Sequence, residues 1–266
     1  MTRGRGFLRR TVVRRHATSG VSDFWLGLSR ASAHAAPRSE SGSAGWAIDH
    51  DDLMRIGTWN LDGTWGDLHQ ELLLKSECDV WLLTEVRTDV ELGGYHRHLT
   101  EAFMADGRHW SGIFSRDPIS ALADPHPASA AGVISGTTYC SSVLPWRSCG
   151  SDEPWKGARH ADKMMAVLDD LHSLWASDEL VWGGDWNQTL LGPDWAGSAG
   201  GREHVIESMA ELGLQVPTAG LSHQIHGHGS IDHIAVGPAK PVASVERVDG
   251  APLSDHDAYV VQLHDG

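Results

Sequence analysis

The sequence contains no apolar run near the ~20 residues that a membrane-spanning helix requires, and it shows no internal repeat. An integral helical membrane protein and a coiled coil are thereby excluded. Cysteine is scarce, with three residues in 266. Three is an odd number and gives no disulfide framework, so the fold must rest on a buried core, which a chain of this length can build. Free thiols fit a reducing, cytoplasmic compartment; a Cys140–Cys149 pair that leaves Cys78 over is the alternative. Positive charge is the third shortage. The net charge is −14, yet the first 53 residues hold eight arginines against five carboxylates, which leaves −17 on the remainder. Such an acidic body grips nucleic acid poorly without specificity, because phosphates are held by Lys and Arg.

What is present is a globular balance of 41% hydrophobic and 21% charged residues. Residues 1–53 read as a basic N-terminal extension and residues 54–266 as one folded domain. The extension opens with Arg3, Arg5, Arg9, Arg10, Arg14 and Arg15 and closes on small residues around Ala33-His34-Ala35. These are two features of an export signal, but the apolar patch Phe24–Leu28 is short and follows Asp23, so a flexible basic tail is the reading.

From Met54 onward, strand and helix patterns interleave. Met54–Trp59 alternates as a strand does. Asp79–Thr84 is a continuous apolar run of the kind buried on both faces. Trp110–Phe114, Gly132–Tyr139, Leu180–Trp182, Ile231–Val236 and Ala258–Leu263 are further predicted strands. Leu68–Leu74 and Glu203–Leu212 suit helices, the latter ended by Gly213. Met164, Leu168, Leu171 and Trp175 form one apolar helical face. Apolar strands covered by amphipathic helices mean an α/β or α+β fold.

Polar residues gather where these strands end. Thr58-Trp59-Asn60, Leu83-Thr84-Glu85 and Gly184-Asp185-Trp186-Asn187 each follow an apolar strand. Ser254-Asp255-His256 precedes one, and Ser230-Ile231-Asp232-His233 places a carboxylate inside one. Carboxylates and amides at strand ends converge on one edge of a sheet, where binding sites form. Oxygen donors of this kind suit Mg²⁺, which needs few carboxylates beside a substrate phosphate. Glu85 and Asp255 are the carboxylate candidates and Asn60 a neutral oxygen. Zinc prefers His and Cys; the stretch His223, His226, His228 and His233 reads as a polar loop, with a metal site as the lesser alternative. A carboxylate beside His256 would fix its tautomer and raise its pKa.

In these motifs and their order the chain resembles the endonuclease/exonuclease/phosphatase superfamily, the group of exonuclease III and deoxyribonuclease I. The resemblance spans Met54 to Leu263. It rests on Ile56–Asn60, the Glu85 strand, Tyr139 at a strand end, Gly184–Asn187, Ile231-Asp232-His233 and Ser254-Asp255-His256. It implies an α+β fold, a four-layer α/β/β/α sandwich of two mixed β-sheets flanked by helices, with the site at one end. It implies Mg²⁺, or Mn²⁺, held by Asn60, Glu85 and Asp255. Asp185 would position the attacking water, with Asn187 orienting it and touching the phosphate. Asp232 would orient His256, which would donate to a phosphoryl oxygen. Tyr139 would contact the phosphate or assist the leaving group. Arg147, Arg159 and His160, in the loop and helix start after Tyr139, could meet phosphate, and Trp146 and Trp155 could touch substrate.

The function implied is a metal-dependent phosphodiester hydrolase, a nuclease with nucleic acid as substrate, acting as a monomer. The acidic body and the compact length favour an alternative, an enzyme of the same core on a small phosphoester such as a phosphoinositide, a phospholipid head group or a nucleotide. A non-catalytic binding module would be expected to have lost a site residue, and none of the six core positions is lost.

Overall fold

The apolar run at residues 80–83 belongs in the middle of a sheet, and there it lies. Strand β2 (Val80–Arg87) pairs in parallel with β1 (Leu53–Asn60) and antiparallel with β5 (Arg108–Ser115). β1 is flanked in turn by β12 (Ala258–His264), and β11 (Val242–Val248) forms the edge beyond it. On the other side, β3 (His96–Leu99) and β4 (Phe103–Ala105) both pair with β5, completing a seven-stranded mixed sheet. The second sheet has five strands. They run in the order β10 (Asp232–Val236), β9 (Leu180–Asp185), β8 (Thr137–Ser142), β7 (Ser129–Ile134) and β6 (Ser120–Ala121). Only β8 and β9 are parallel in it. The computed structural model describes residues 53–172, 174 and 179–264. The features read in the N-terminal extension, and Trp175 of the predicted helical face, lie outside the described residues.

The two sheets meet face to face. Ile56, Val80, Leu82, Ile113, Val261 and Leu263 of the larger sheet pack against Ala130, Ile134, Tyr139, Val181, Ile234 and Val236 of the smaller. Burying such side chains contributes roughly 1.5–3 kcal/mol apiece. A second cluster covers the other face of the larger sheet, where Trp59, Trp81, Leu83 and Val260 meet Leu73 of helix α1 (Asp67–Lys75). Helices α2 (His160–Leu171) and α3 (Ala199–Leu212) pair with each other, and His160 Nδ1 sits 2.8 Å from the Oγ of Ser198, the N-cap of α3. Gly213 ends α3 with φ of 64°, as the sequence pattern predicts.

One strand expectation changes, and the edge strand β11 is one that the sequence pattern does not predict. Gly132–Tyr139 is not one strand but the two arms of a hairpin, β7 and β8, turned at Ser135 and Gly136. Both turn residues have positive φ, 49° and 88°, the pair of angles that a tight two-residue turn demands. Strand β11 carries no clean apolar alternation, because as an edge strand it exposes most of its residues.

Candidate active site

The site is assembled where strands of both sheets end. From the larger sheet come Asn60, last residue of β1, and Glu85, near the end of β2. Glu85 has φ of 54°. The β2–β5 ladder joins Thr84 to Ser111 and Val86 to His109, leaving Glu85 out. A left-handed non-glycine residue is uncommon and costs about 1–3 kcal/mol, a strain that clusters at functional positions. Asn187, with φ of 49°, is a second one.

From the smaller sheet come Asp185, last residue of β9, and Asp232, first of β10, directly opposite each other in the antiparallel ladder. Gly184 makes that strand end possible. Its φ is 127°, and a Cβ there would lie 2.1 Å from the carbonyl oxygen of Ser142. Only glycine lets β9 approach β8 this closely and still deliver Asp185.

Hydrogen bonds connect the two sheets. Asn60 Nδ2 donates to Asp185 Oδ2 at 3.0 Å and approaches Glu85 Oε1 at 3.2 Å. Its Oδ1 accepts the Asp62 N–H at 2.8 Å. The backbone N–H of Asn187 donates to Asp185 Oδ1 at 2.9 Å, and its side-chain amide donates to Leu144 O at 3.0 Å. The Ser254–His256 turn is tied to β1, since Ser254 Oγ donates to Asn60 O and Trp59 Nε1 donates to His256 O. Held there, His256 Nδ1 donates to Asp232 Oδ2 at 2.7 Å.

The charges bear on one another strongly. Burial, then the facing Asp232, push Asp185 up to about 7. Burial also raises Asp232, while His256 pulls it back. Burial disfavours a charge on His256, but Asp232 and Asp185 outweigh it and lift the imidazole to about 10. Burial raises Glu85 as well; Asn60 and Arg108 oppose that rise. A carboxylate that accepts protons near neutrality beside an imidazole that keeps its own is the separation of roles that acid–base chemistry uses.

Most predicted residues converge here: Asn60, Glu85, Asp185, Asn187, Asp232 and His256. Asp255 lies at the rim, its carboxylate exposed and 3.7 Å from His256 Nε2. Tyr139 does not join them. It pairs with Val181, four residues before Asp185, or roughly 13 Å back along the strand. Its ring is buried between the sheets and its hydroxyl meets Met54 Sδ at 3.0 Å. The predicted strand end at Tyr139 was displaced because the hairpin turn at Ser135-Gly136 starts a fresh strand that runs on to Ser142.

The neighbouring candidates have partners of their own. Arg147 is held by the carbonyls of Gly197 and Asp194, and Arg159 by Asp162. His160 is buried, with Nε2 at 2.8 Å from Pro145 O. Trp155 is buried, stacked on His126 and edge-on to Trp110 and Trp146. His233, in β10, faces Gln188 O. Two site residues carry no sequence motif. Arg108, opening β5, pairs with Glu85 Oε2 at 2.6 Å. His223 lies beside His256, with ring centroids 5.5 Å apart. The only sequence signal for His223 was its place in the His-rich stretch.

The model of the endonuclease/exonuclease/phosphatase family matches residues 57–256, from β1 to the His256 turn. The chain belongs to this family. As a family of nucleases and phosphatases it is built around the hydrolysis of phosphate esters. An AP endonuclease from Leishmania major has the same fold over 82% of this chain and 89% of its own, at 15% identity and a TM-score of 0.62. A 3′-5′ exonuclease from Neisseria meningitidis matches over 79% and 100%, at 17% identity and 0.57. The endonuclease domain of a telomere-specific non-LTR retrotransposon matches over 80% and 98%, at 16% identity and 0.57. No curated protein matches the chain. Two mixed sheets with flanking helices are thus the family fold. Among the described residues, no helix is long and apolar enough to cross a membrane. Cys78, Cys140 and Cys149 are all free and buried.

Proposed function

We propose that residues 54–266 form a metal-dependent phosphodiester hydrolase that acts on nucleic acid, with residues 1–53 a basic extension to it. The observation that carries this reading is the convergence of the Asp232–His256 pair with Glu85 and Asp185, two carboxylates bridged by one Asn60 amide. The donor set fits a hard divalent cation such as Mg²⁺ or Mn²⁺, because Glu85 and Asp185 are both raised by burial and a cation would relieve them. Glu85 would hold it, with Asn60 beside it and Asp255 at the rim. When bound, such an ion neutralises charge on the phosphoryl oxygens.

The protein's own groups supply the rest. Asp185, anchored by the Asn187 N–H, accepts the proton of the attacking water. Asn187 has one side-chain N–H beyond that given to Leu144, and it serves a phosphoryl oxygen. His256 is oriented through Nδ1 by Asp232, so Nε2 presents a proton to the phosphate or the leaving oxygen.

The test is hydrolysis with Mg²⁺ or Mn²⁺ of plasmid, single-stranded oligonucleotide, abasic duplex, RNA, phosphoinositides and bis-p-nitrophenyl phosphate, against an Asp185→Asn control. Cleavage of nucleic acid, lowered about 10²–10⁴-fold in the variant, is the expected result. A second reading, a small phosphoester as substrate, is favoured by the −17 carried beyond residue 53. Activity confined to small esters, with little dependence on salt, would establish it instead.

A further inference from the structure

Two buried polar atoms near His256 have no hydrogen-bond partner among the described residues: Nε2 of His223 and Oδ1 of Asp232. His223 is 3% exposed and Asp232 0%. Burying such groups unpaired is unfavourable, so two in one place call for an explanation. Ligating atoms of His223, Asp232 and His256 lie within 4.8 Å of one another, the dimension of a cation site. The tautomer of His223 decides against that use. Its Nδ1 accepts the backbone N–H of Ile225 at 3.1 Å, so the ring proton sits on Nε2. Nε2 therefore offers a donor rather than a lone pair. Burial, then the neighbouring His256, hold His223 down to about 4, which keeps it neutral.

A donor without an acceptor and an acceptor without a donor thus belong to the same cluster of three side chains. The loop fixes this placement. Ser222 bridges Gly229, the His223 N–H donates to His228 O at 3.0 Å, and Trp195 packs edge-on at 4.9 Å from the His223 ring. We propose that His223 is a positioning residue for Asp232, its Nε2–H donating to Oδ1 directly or through one water. Asp232 Oδ2 is left to His256, and the carboxylate is held by a donor on each oxygen. Its plane is then locked, and with it the imidazole of His256. This inference rests on the hydrolase reading for its effect on turnover, but not for its geometry.

The experiment uses the full chain, with His223→Leu and His223→Gln. Glutamine keeps an N–H donor and leucine does not. With bis-p-nitrophenyl phosphate and Mg²⁺, His223→Leu should lose about 10–100-fold in kcat with KM within about twofold, the effect expected of an orienting partner. His223→Gln should recover most of that loss. The downfield imidazole N–H resonance of His256, followed by proton NMR, should broaden in His223→Leu and persist in His223→Gln. Wild-type turnover in His223→Leu, or an equal fall in both variants, would overturn the proposal. A ¹⁵N spectrum of the wild-type protein provides a check that needs no variant, and a proton found on Nδ1 of His223 would also overturn it. If the wild-type chain hydrolyses none of the phosphoesters, the hydrolase reading fails. The NMR comparisons would still decide the role of His223.

Discussion

Tyr139 and His223 show how a single side chain gains or loses a role through its surroundings. Tyr139 is a core residue whose hydroxyl meets Met54 Sδ. Tyr139→Phe should therefore leave kcat within about twofold and cost about 1 kcal/mol of stability, measured by urea unfolding. Asp232→Asn should behave in the opposite way. Its geometry is conserved, but the charge that holds His256 protonated is gone, and kcat should fall about 10²–10⁴-fold with folding intact. Asn60, Glu85, Asp185, Asn187, Asp232 and His256 were legible in the sequence because each adjoins or opens an apolar strand, where a polar residue is conspicuous. Arg108 and His223 were not legible. Arg108 opens a strand and His223 stands in a His-rich stretch, but neither pattern points to a site, and only the third dimension brings Arg108 to Glu85 and His223 to His256.

Among the elements, buried strands with a dense apolar pattern are legible in the sequence, and exposed edge strands are not. The buried strand β2 announces itself by composition, whereas β11 exposes most of its residues on an edge and carries little pattern. The β7–β8 hairpin hides in the sequence because β-branched residues on both sides of Ser135-Gly136 look continuous. The turn provides its own test. Ser135 sits at φ of 49°, where asparagine is tolerated better than serine. Ser135→Asn should raise the melting temperature by a few degrees, since about 0.5–1 kcal/mol moves a domain of this size that far. Gly184→Ala is expected to do the reverse. Its Cβ would collide with the Ser142 backbone at 2.1 Å, so the end of β9 must shift. Loss of activity should exceed loss of secondary structure, read by circular dichroism, because Asp185 is the next residue.

For the molecule as a whole, buried histidines set the response to acid. His126, His160, His223 and His233 all have imidazoles pushed down by burial, the last two to about 4. The unfolded chain binds protons at these positions below about 6.5 and the folded chain does not. Their contribution is whole above that value and is lost as the pH falls towards about 4. For His233 alone the loss is ~3 kcal/mol. His256 acts at the other end. Raised to about 10, it stabilises the fold below its ordinary value, and that stability is lost as the pH climbs through 10. Asp185, Asp232 and Glu85 oppose the histidines, because carboxyls raised by burial take up protons first in the folded chain and stabilise it as the pH falls. Urea midpoints measured from pH 4 to pH 10 should therefore trace a dome whose acid side these carboxyls soften.

The bonds Asn60–Asp185 and Asp232–His256 both run from one sheet to the other. The active centre thus works as a vernier on the sandwich, because a slide of one sheet by a fraction of an ångström misaligns both readings at once. Ile56 packs between the sheets. An Ile56→Ala gap there would register first as lost turnover, while the melting curve still reported a folded protein.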